Sequence, residues 1–186
     1  MSRKPLAVAL VHHPVLDKRG DLVTTAVTNL DLHDIARSAA TFGVERFYVV
    51  TPVAEQQRLT QRLVEHWTEG HGASYNPDRA KALSLLVVVD TLDDALQDWQ
   101  EHIDNQSEVW LTGARRHDGL EVSEAREVLA QRPALLVLGT GWGLAPELFE
   151  KGWKVLKAIC GAGEYNHLPV RAAAAIMLDR LNGQLE

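Results

Sequence analysis

The run Ala134 to Leu148, ALLVLGTGWGLAPEL, decides how the chain is read. Its first five residues, Ala134 to Leu138, are all apolar. A short continuous apolar run is a strand buried on both faces, as in a parallel sheet. The run breaks at Gly139-Thr140-Gly141-Trp142-Gly143 and resumes as a helix from Ala145, with Pro146 in its first turn. Glycine lets backbone approach a ligand closely, and open α/β sheets receive ligands at the carboxyl ends of their strands. The plainer reading is a tight strand-to-helix turn. Three glycines in five residues favour a pocket wall, although the loop alone does not name the ligand.

The same grammar extends in both directions. Leu6 to Val11 reads as a first buried strand, ending at His12-His13-Pro14. A polar loop follows, VLDKRGDLVTTAVTN, longer than a mere connection requires. Leu30 to Phe42 is a helix with Leu32, Ile35, Ala36, Ala39 and Phe42 on one face, capped by Asn29 or Asp31 and ended by Gly43. Strands are expected at Arg46 to Thr51, Leu85 to Asp90, Val109 to Thr112 and Lys154 to Cys160. Helices are expected at Ala54 to Glu69, Leu92 to Ile103, Glu121 to Gln131 and Leu168 to Asn182, with Pro169 in the first turn of the last. Gly70 to Pro77 reads as a loop and Asp78 to Ser84 as a short helical turn. Strands alternating with helices give an α/β fold, a mostly parallel sheet flanked by helices.

Composition narrows the class. The 186 residues, 46% hydrophobic, suit one domain spanning 1–186. A net charge of −6 gives no global basic field, so an RNA partner needs a local patch. Asp90 to Glu108 holds seven acidic residues and no Lys or Arg, a surface that faces away from phosphate. The single cysteine, Cys160, excludes an internal disulfide framework and a cysteine-based zinc site. The apolar run near the N-terminus is too short to span a membrane and lacks a cleavage pattern, so a cytoplasmic protein is expected. His12-His13 has no third ligand at a convincing spacing, and no metal site is expected.

Several groups are candidates for chemistry. His33 and Arg37, four apart, lie opposite the apolar face of their helix, either as a solvated pair or as a guanidinium offered to an anion. Thr112-Gly113-Ala114-Arg115-Arg116-His117 places two arginines at a strand's carboxyl end. Trp142 either packs or covers a flat ligand. The last helix is apolar on both sides, with Val170, Ala173, Ala174, Met177, Leu178 and Leu181 opposite Ala172, Ala175 and Ile176. A partner subunit is one source of the second burial surface.

These stretches together resemble the SPOUT RNA methyltransferases, in their SpoU/TrmD-like form. NLDLHDIARSAATFGVERFYVV, from Asn29 to Val50, is similar to the family's first motif, LVLGTGWGL to its second, and EYNHLPVRAAAAIMLDRL to its third. TGAR at 112–115 resembles a substrate-side turn. The ordered set covers nearly the whole chain. The resemblance implies a C-terminal trefoil knot, a homodimer through the last helix, and S-adenosylmethionine (SAM) as cofactor. It implies cofactor contacts from Thr112, Leu138, Gly139, Thr140, Gly141, Trp142, Gly143, Leu144, Gly163, Tyr165, Asn166, His167, Leu168 and Val170. It implies catalytic roles for Arg37, Asn29, Asp31 and His33, and contacts to tRNA or rRNA from His13, Lys18, Arg115 and Arg116. Two departures stand out. Gly141-Trp142 occupies the place of a usual acidic residue, and Tyr165 to Pro169 replaces the usual Ser-Leu-Asn run.

The expected reaction is in-line methyl transfer to a ribose 2′-hydroxyl or a base nitrogen. Alignment supplies most of the rate. Arg37, which stays protonated, is expected to stabilise developing charge. His33, Asp31 or Asp34 is expected to take the proton from a hydroxyl, and Asp31 or Glu164 from a base. Two other classes compete: a homologue that binds SAM or RNA without catalysis, and a dinucleotide-binding oxidoreductase. The latter needs G-x-G-x-x-G in the first βαβ unit, whereas here Leu144 stands at the last glycine's place and the loop is late.

Overall fold

The computed structural model describes residues 3–184. In chain order the elements are β1 (Leu6–Val11), β2 (Val15–Leu16), β3 (Leu22–Val23), α1 (Asn29–Thr41), β4 (Arg46–Val50), α2 (Ala54–Thr68), α3 (His71–Tyr75), α4 (Pro77–Leu83), β5 (Leu86–Val89), α5 (Leu92–Ile103), β6 (Glu108–Leu111), α6 (Val122–Leu129), β7 (Ala134–Gly139), α7 (Pro146–Phe149), β8 (Lys154–Val155) and α8 (Val170–Asn182). Six strands form one sheet in the order β5-β4-β1-β7-β6-β8, every neighbouring pair parallel. β1 and β7 lie at its centre and are buried apart from the half-buried Gly139, which is why both read as unbroken apolar runs.

The period-two alternation of the strands divides the core. Leu6, Val8, Leu10, Phe47, Val49, Leu136 and Leu138 face one side and pack with α1, α4, α6 and α8. Ala7, Ala9, Val11, Tyr48, Val50, Leu135 and Val137 face the other and pack with α5 and the Leu144–Leu148 turn. The chain runs outward from β1 through β4 to β5, then restarts beyond the centre with β6, and β7 fills the gap. Such a reversal opens a crevice at the carboxyl ends of the central strands.

Six expectations about elements are corrected. α1 is capped by Thr28, not by Asn29 or Asp31; its hydroxyl accepts from the Asp31 N–H while donating to the Asp31 carboxylate. Gly70 to Pro77 contains the helical turn α3. The polar loop after β1 carries the β2–β3 hairpin, turned at Gly20 with φ +85°. The helix after the glycine loop is a single turn. Of the strand expected over Lys154 to Cys160, only Lys154–Val155 remains, because the chain beyond is held on two sides. Leu156 N–H donates to Leu111 O at 2.8 Å, while Lys157 and Ala158 N–H donate to Leu120 O and Arg116 O at 2.9 and 2.7 Å. Pro169 is the cap of α8 and precedes its first turn. Among the described residues no helix is long and apolar enough to cross a membrane.

Candidate active site

At the carboxyl ends of β1, β6 and β7 lies a cavity of about 1020 Å³. Three loops expected to bind the cofactor meet there. Thr112 comes from the end of β6, Leu138 to Leu144 from the glycine loop, and Asn166, His167, Leu168 and Val170 from the approach to α8. Asn166 joins two walls, its amide donating to Ala114 O at 3.0 Å. Arg115 and Arg116 line the mouth, and the Arg116 guanidinium lies 3.9 Å over the Phe149 ring. Two expected cofactor residues stand outside. Gly163 is open, with nothing within 4 Å of where a Cβ would sit, and Tyr165 is 84% exposed. Both lie on the outward turn of the 161–168 loop.

The glycine loop is pinned by the hairpin. Trp142 N–H donates to Leu16 O and Leu16 N–H to Gly143 O, both at 2.9 Å, and Val15 bridges Leu144. Gly141 adopts φ +59°, and a Cβ there would lie 2.8 Å from Leu16 O. This position requires glycine both for its backbone angle and for the close approach. Leu16, Thr25 and Ala26 from the hairpin region therefore line the cavity. The sequence reading missed them, although two apolar pairs flanking a five-residue turn with Gly20 were a hairpin signal.

Beneath the loop runs a half-buried hydrogen-bond chain. Thr140 Oγ1 donates to Val11 O at 2.9 Å and lies 2.5 Å from Thr25 Oγ1, which lies 3.0 Å from His12 Nδ1. With the Thr140 proton committed to a carbonyl, Thr25 donates to Thr140 and accepts from His12. The imidazole is thus protonated on Nδ1, and Nε2 is a bare lone pair, buried with no partner. Burial lowers the His12 pKa to about 4, with Asp31 opposing the shift. His12 is 1% exposed and neutral near pH 7, a polar support for the loop.

The expected catalytic set does not assemble in one chain. Asp31 lines the cavity, but its oxygens already hold Thr28 and Arg171, at 2.7 and 3.3 Å. Arg171 also reaches Asp34 at 3.4 Å, tying α8 to α1. Asn29 is exposed at the start of α1 and does not line the cavity. His33 faces α2 and α4, and Arg37 is exposed; neither lines the cavity. The His33 ring meets Trp67 edge-on at 5.6 Å, and the Arg79 guanidinium covers the same indole at 4.8 Å. Burial, with Arg79 beside it, lowers the His33 pKa. The helical wheel placed both residues off their own core face, and α4 covers part of that face. His13 and Lys18 are also outside the lining: His13 Nδ1 sits 3.1 Å from Thr24 Oγ1, and Lys18 is exposed in the hairpin turn. Pro169, on the loop expected to meet the glycine loop, lines the cavity too, whereas Asp118, Pro146, Phe149, Ile159, Ala173 and Met177 complete it and were not anticipated.

The walls suit a ligand with an apolar flat part and a polar edge, since Leu138, Leu144, Ile159, Val170 and Met177 are interleaved with backbone and Asn166. Comparison with known proteins agrees. A tRNA (guanine-N(1)-)-methyltransferase of Nitratidesulfovibrio vulgaris is 45% identical over 178 residues, covering 96% of this chain and 42% of that protein. The chain thus spans less than half the length of that relative. An uncharacterized protein of Aquifex aeolicus is 35% identical, covering 97% of this chain and 90% of its own length. In fold the chain is similar to the SpoU methyltransferase AviRb of Streptomyces viridochromogenes in complex with AdoMet, with a TM-score of 0.61, 17% identity, and coverage of 97% and 58%. A family model described as SAM-dependent RNA methyltransferase matches residues 5–183, nearly everything from β1 to the end of α8, and it is to this family that the chain belongs.

Proposed function

We propose that this chain, as one domain over 1–186, transfers the methyl group of SAM to RNA from the cavity at the ends of β1, β6 and β7. The carrying observation is the meeting of the glycine loop, the β6 turn and the approach to α8 around one volume. SAM supplies an electrophilic methyl on a sulfonium. The backbone of Leu138 to Leu144 and of Asn166 to Val170 holds the donor, and its apolar flank rests on Ile159 and Met177. Arg115 and Arg116 contact phosphate at the mouth. The cavity groups proposed to accept a proton from the acceptor are the Asp31 carboxylate, oriented by Thr28 and Arg171, the Asp118 carboxylate and the His167 imidazole.

The acceptor atom is proposed only as a ribose hydroxyl or a base nitrogen. The guanine-N1 activity in the relative's name belongs to a protein more than twice this length, so tRNA as substrate is one arm of the test. Calorimetry is expected to show binding of SAM and none of NAD. Labelled-methyl transfer to total RNA, with nucleoside analysis, then identifies the product. Binding of NAD in place of SAM would overturn the reading. SAM binding without transfer would identify a homologue that has lost catalysis.

Two finer features belong to the same proposal. The passage of 155–158 between the end of β6 and the 116–120 loop supports the trefoil knot. The half-buried Ala172, Ala175 and Ile176 on α8 support a homodimer through this helix. Ile176→Asp is expected to halve the mass measured by sedimentation equilibrium. A wild-type monomer would remove the dimer from the proposal.

A further inference from the structure

We infer that Trp142, His167 and Tyr165 form a stacking row at the cavity mouth for one unpaired base of the RNA substrate, an inference that rests on the methyltransferase reading above. Trp142 is 55% exposed although its loop is fixed by hydrogen bonds on both sides of it. An indole on a pinned loop cannot fold inward to escape water, so its exposure is built into the loop. Among the described residues its one aromatic neighbour is His167, with centroids 5.9 Å apart and planes at 83°. An edge-on contact uses at most one face of the indole and leaves the other for a ligand. Tyr165 continues the row, 6.3 Å from His167 and tilted by 39°.

The charge around the row matches this occupant. Arg115 and Arg116 are exposed at the same mouth, and neither forms an ion pair among the described residues. Stacked on Phe149, Arg116 has its planar fork oriented while its N–H edges stay free for phosphate oxygens. Cations flanking aromatic faces are the recurring means of holding single-stranded nucleic acid, whereas bases inside an A-form duplex have no free face to offer. The cavity of about 1020 Å³ stands at the upper end of the range of about 300–1,000 Å³ for a single small-molecule site, which leaves room for an acceptor nucleotide beside the donor. The methylated position is therefore in a loop, bulge or end, or in a nucleotide turned out of its helix.

The test uses a short labelled RNA without self-complementarity and the same strand annealed to its complement, both titrated in the presence of SAM. The single strand is expected to bind at least tenfold more tightly. Trp142→Ala and Tyr165→Ala are each expected to weaken single-strand binding roughly tenfold, with Trp142→Phe restoring most of the loss. Equal affinity for strand and duplex, or alanine variants that bind like wild type, overturns the inference. So does dissociation of a dimer by Tyr165→Ala at unchanged RNA affinity, because the row then serves a second copy of the chain. SAM titration of the wild-type protein separates the two levels. In wild type, normal SAM binding without strand preference removes only the stacking row, and absent SAM binding removes the methyltransferase reading itself.

Discussion

Gly141→Val is expected to abolish measurable SAM binding and to lower the melting temperature by about 4–20 °C. Position 141 has φ +59°, where a β-branched residue is strained, and its new Cβ would lie 2.8 Å from Leu16 O and 3.2 Å from Thr25 Cγ2. Left-handed backbone costs about 1–2 kcal/mol, and forcing atoms into a packed site about 1–3 kcal/mol more. In a chain of this size each kcal/mol lowers the melting temperature by roughly 2–4 °C. The strain is relieved by lifting the glycine loop from the hairpin, which opens the cavity wall. Gly161→Ala is the matched control, since nothing lies within 4 Å of its Cβ position. Differential scanning calorimetry and SAM titration of both variants check the expectation. A Gly141→Val protein with wild-type affinity would mean that the lock between hairpin and loop does not form the site.

Acidification is expected to destabilise the wild-type protein through His12. The imidazole has a pKa of about 4 in the fold against an ordinary value of 6.5, so the unfolded chain binds more protons than the native one between those values. The contribution of neutral His12 is fully present above about pH 6.5 and is lost as pH falls towards 4. The shift corresponds to about 3 kcal/mol, or roughly 6–12 °C in melting temperature. His12→Asn keeps an N–H near Nδ1 for Thr25 and does not titrate. Its melting temperature should fall less steeply over that window, while SAM affinity at neutral pH stays close to wild type. His12→Leu removes the donor as well and should weaken SAM binding. Identical pH slopes for wild type and His12→Asn would remove His12 from this role.

What the sequence made legible follows from local rules. β1 and β7 were readable because burial on both faces leaves an unbroken apolar run, and α5 because Thr91 can cap it, which it does in a capping box with Asp94. The glycine loop and the 166–170 approach were readable as site walls because each breaks a regular element. The hairpin's contact with the glycine loop was not readable, since it joins residues more than a hundred positions apart through backbone atoms. Nor was the placement of Arg37. A helical wheel shows which residues share a side of α1, but only the assembled fold shows that this side is away from the cavity. Lys154 to Cys160 failed as a strand for a similar reason: an apolar run was diverted by partners on two sides.

The cavity draws its walls from residues 16–31, 112–118, 138–149 and 159–177, stretches spread across almost the whole chain. No fragment that stops short of α8 contains a complete site. Ligand occupancy and completion of the fold are thus linked as one thermodynamic event. Donor present at a hundredfold excess over its dissociation constant adds about 2.7 kcal/mol to the stability of the whole chain. During synthesis such a pocket cannot fill until its last wall, α8, leaves the ribosome, so a nascent chain gains this stabilisation only once that helix has emerged.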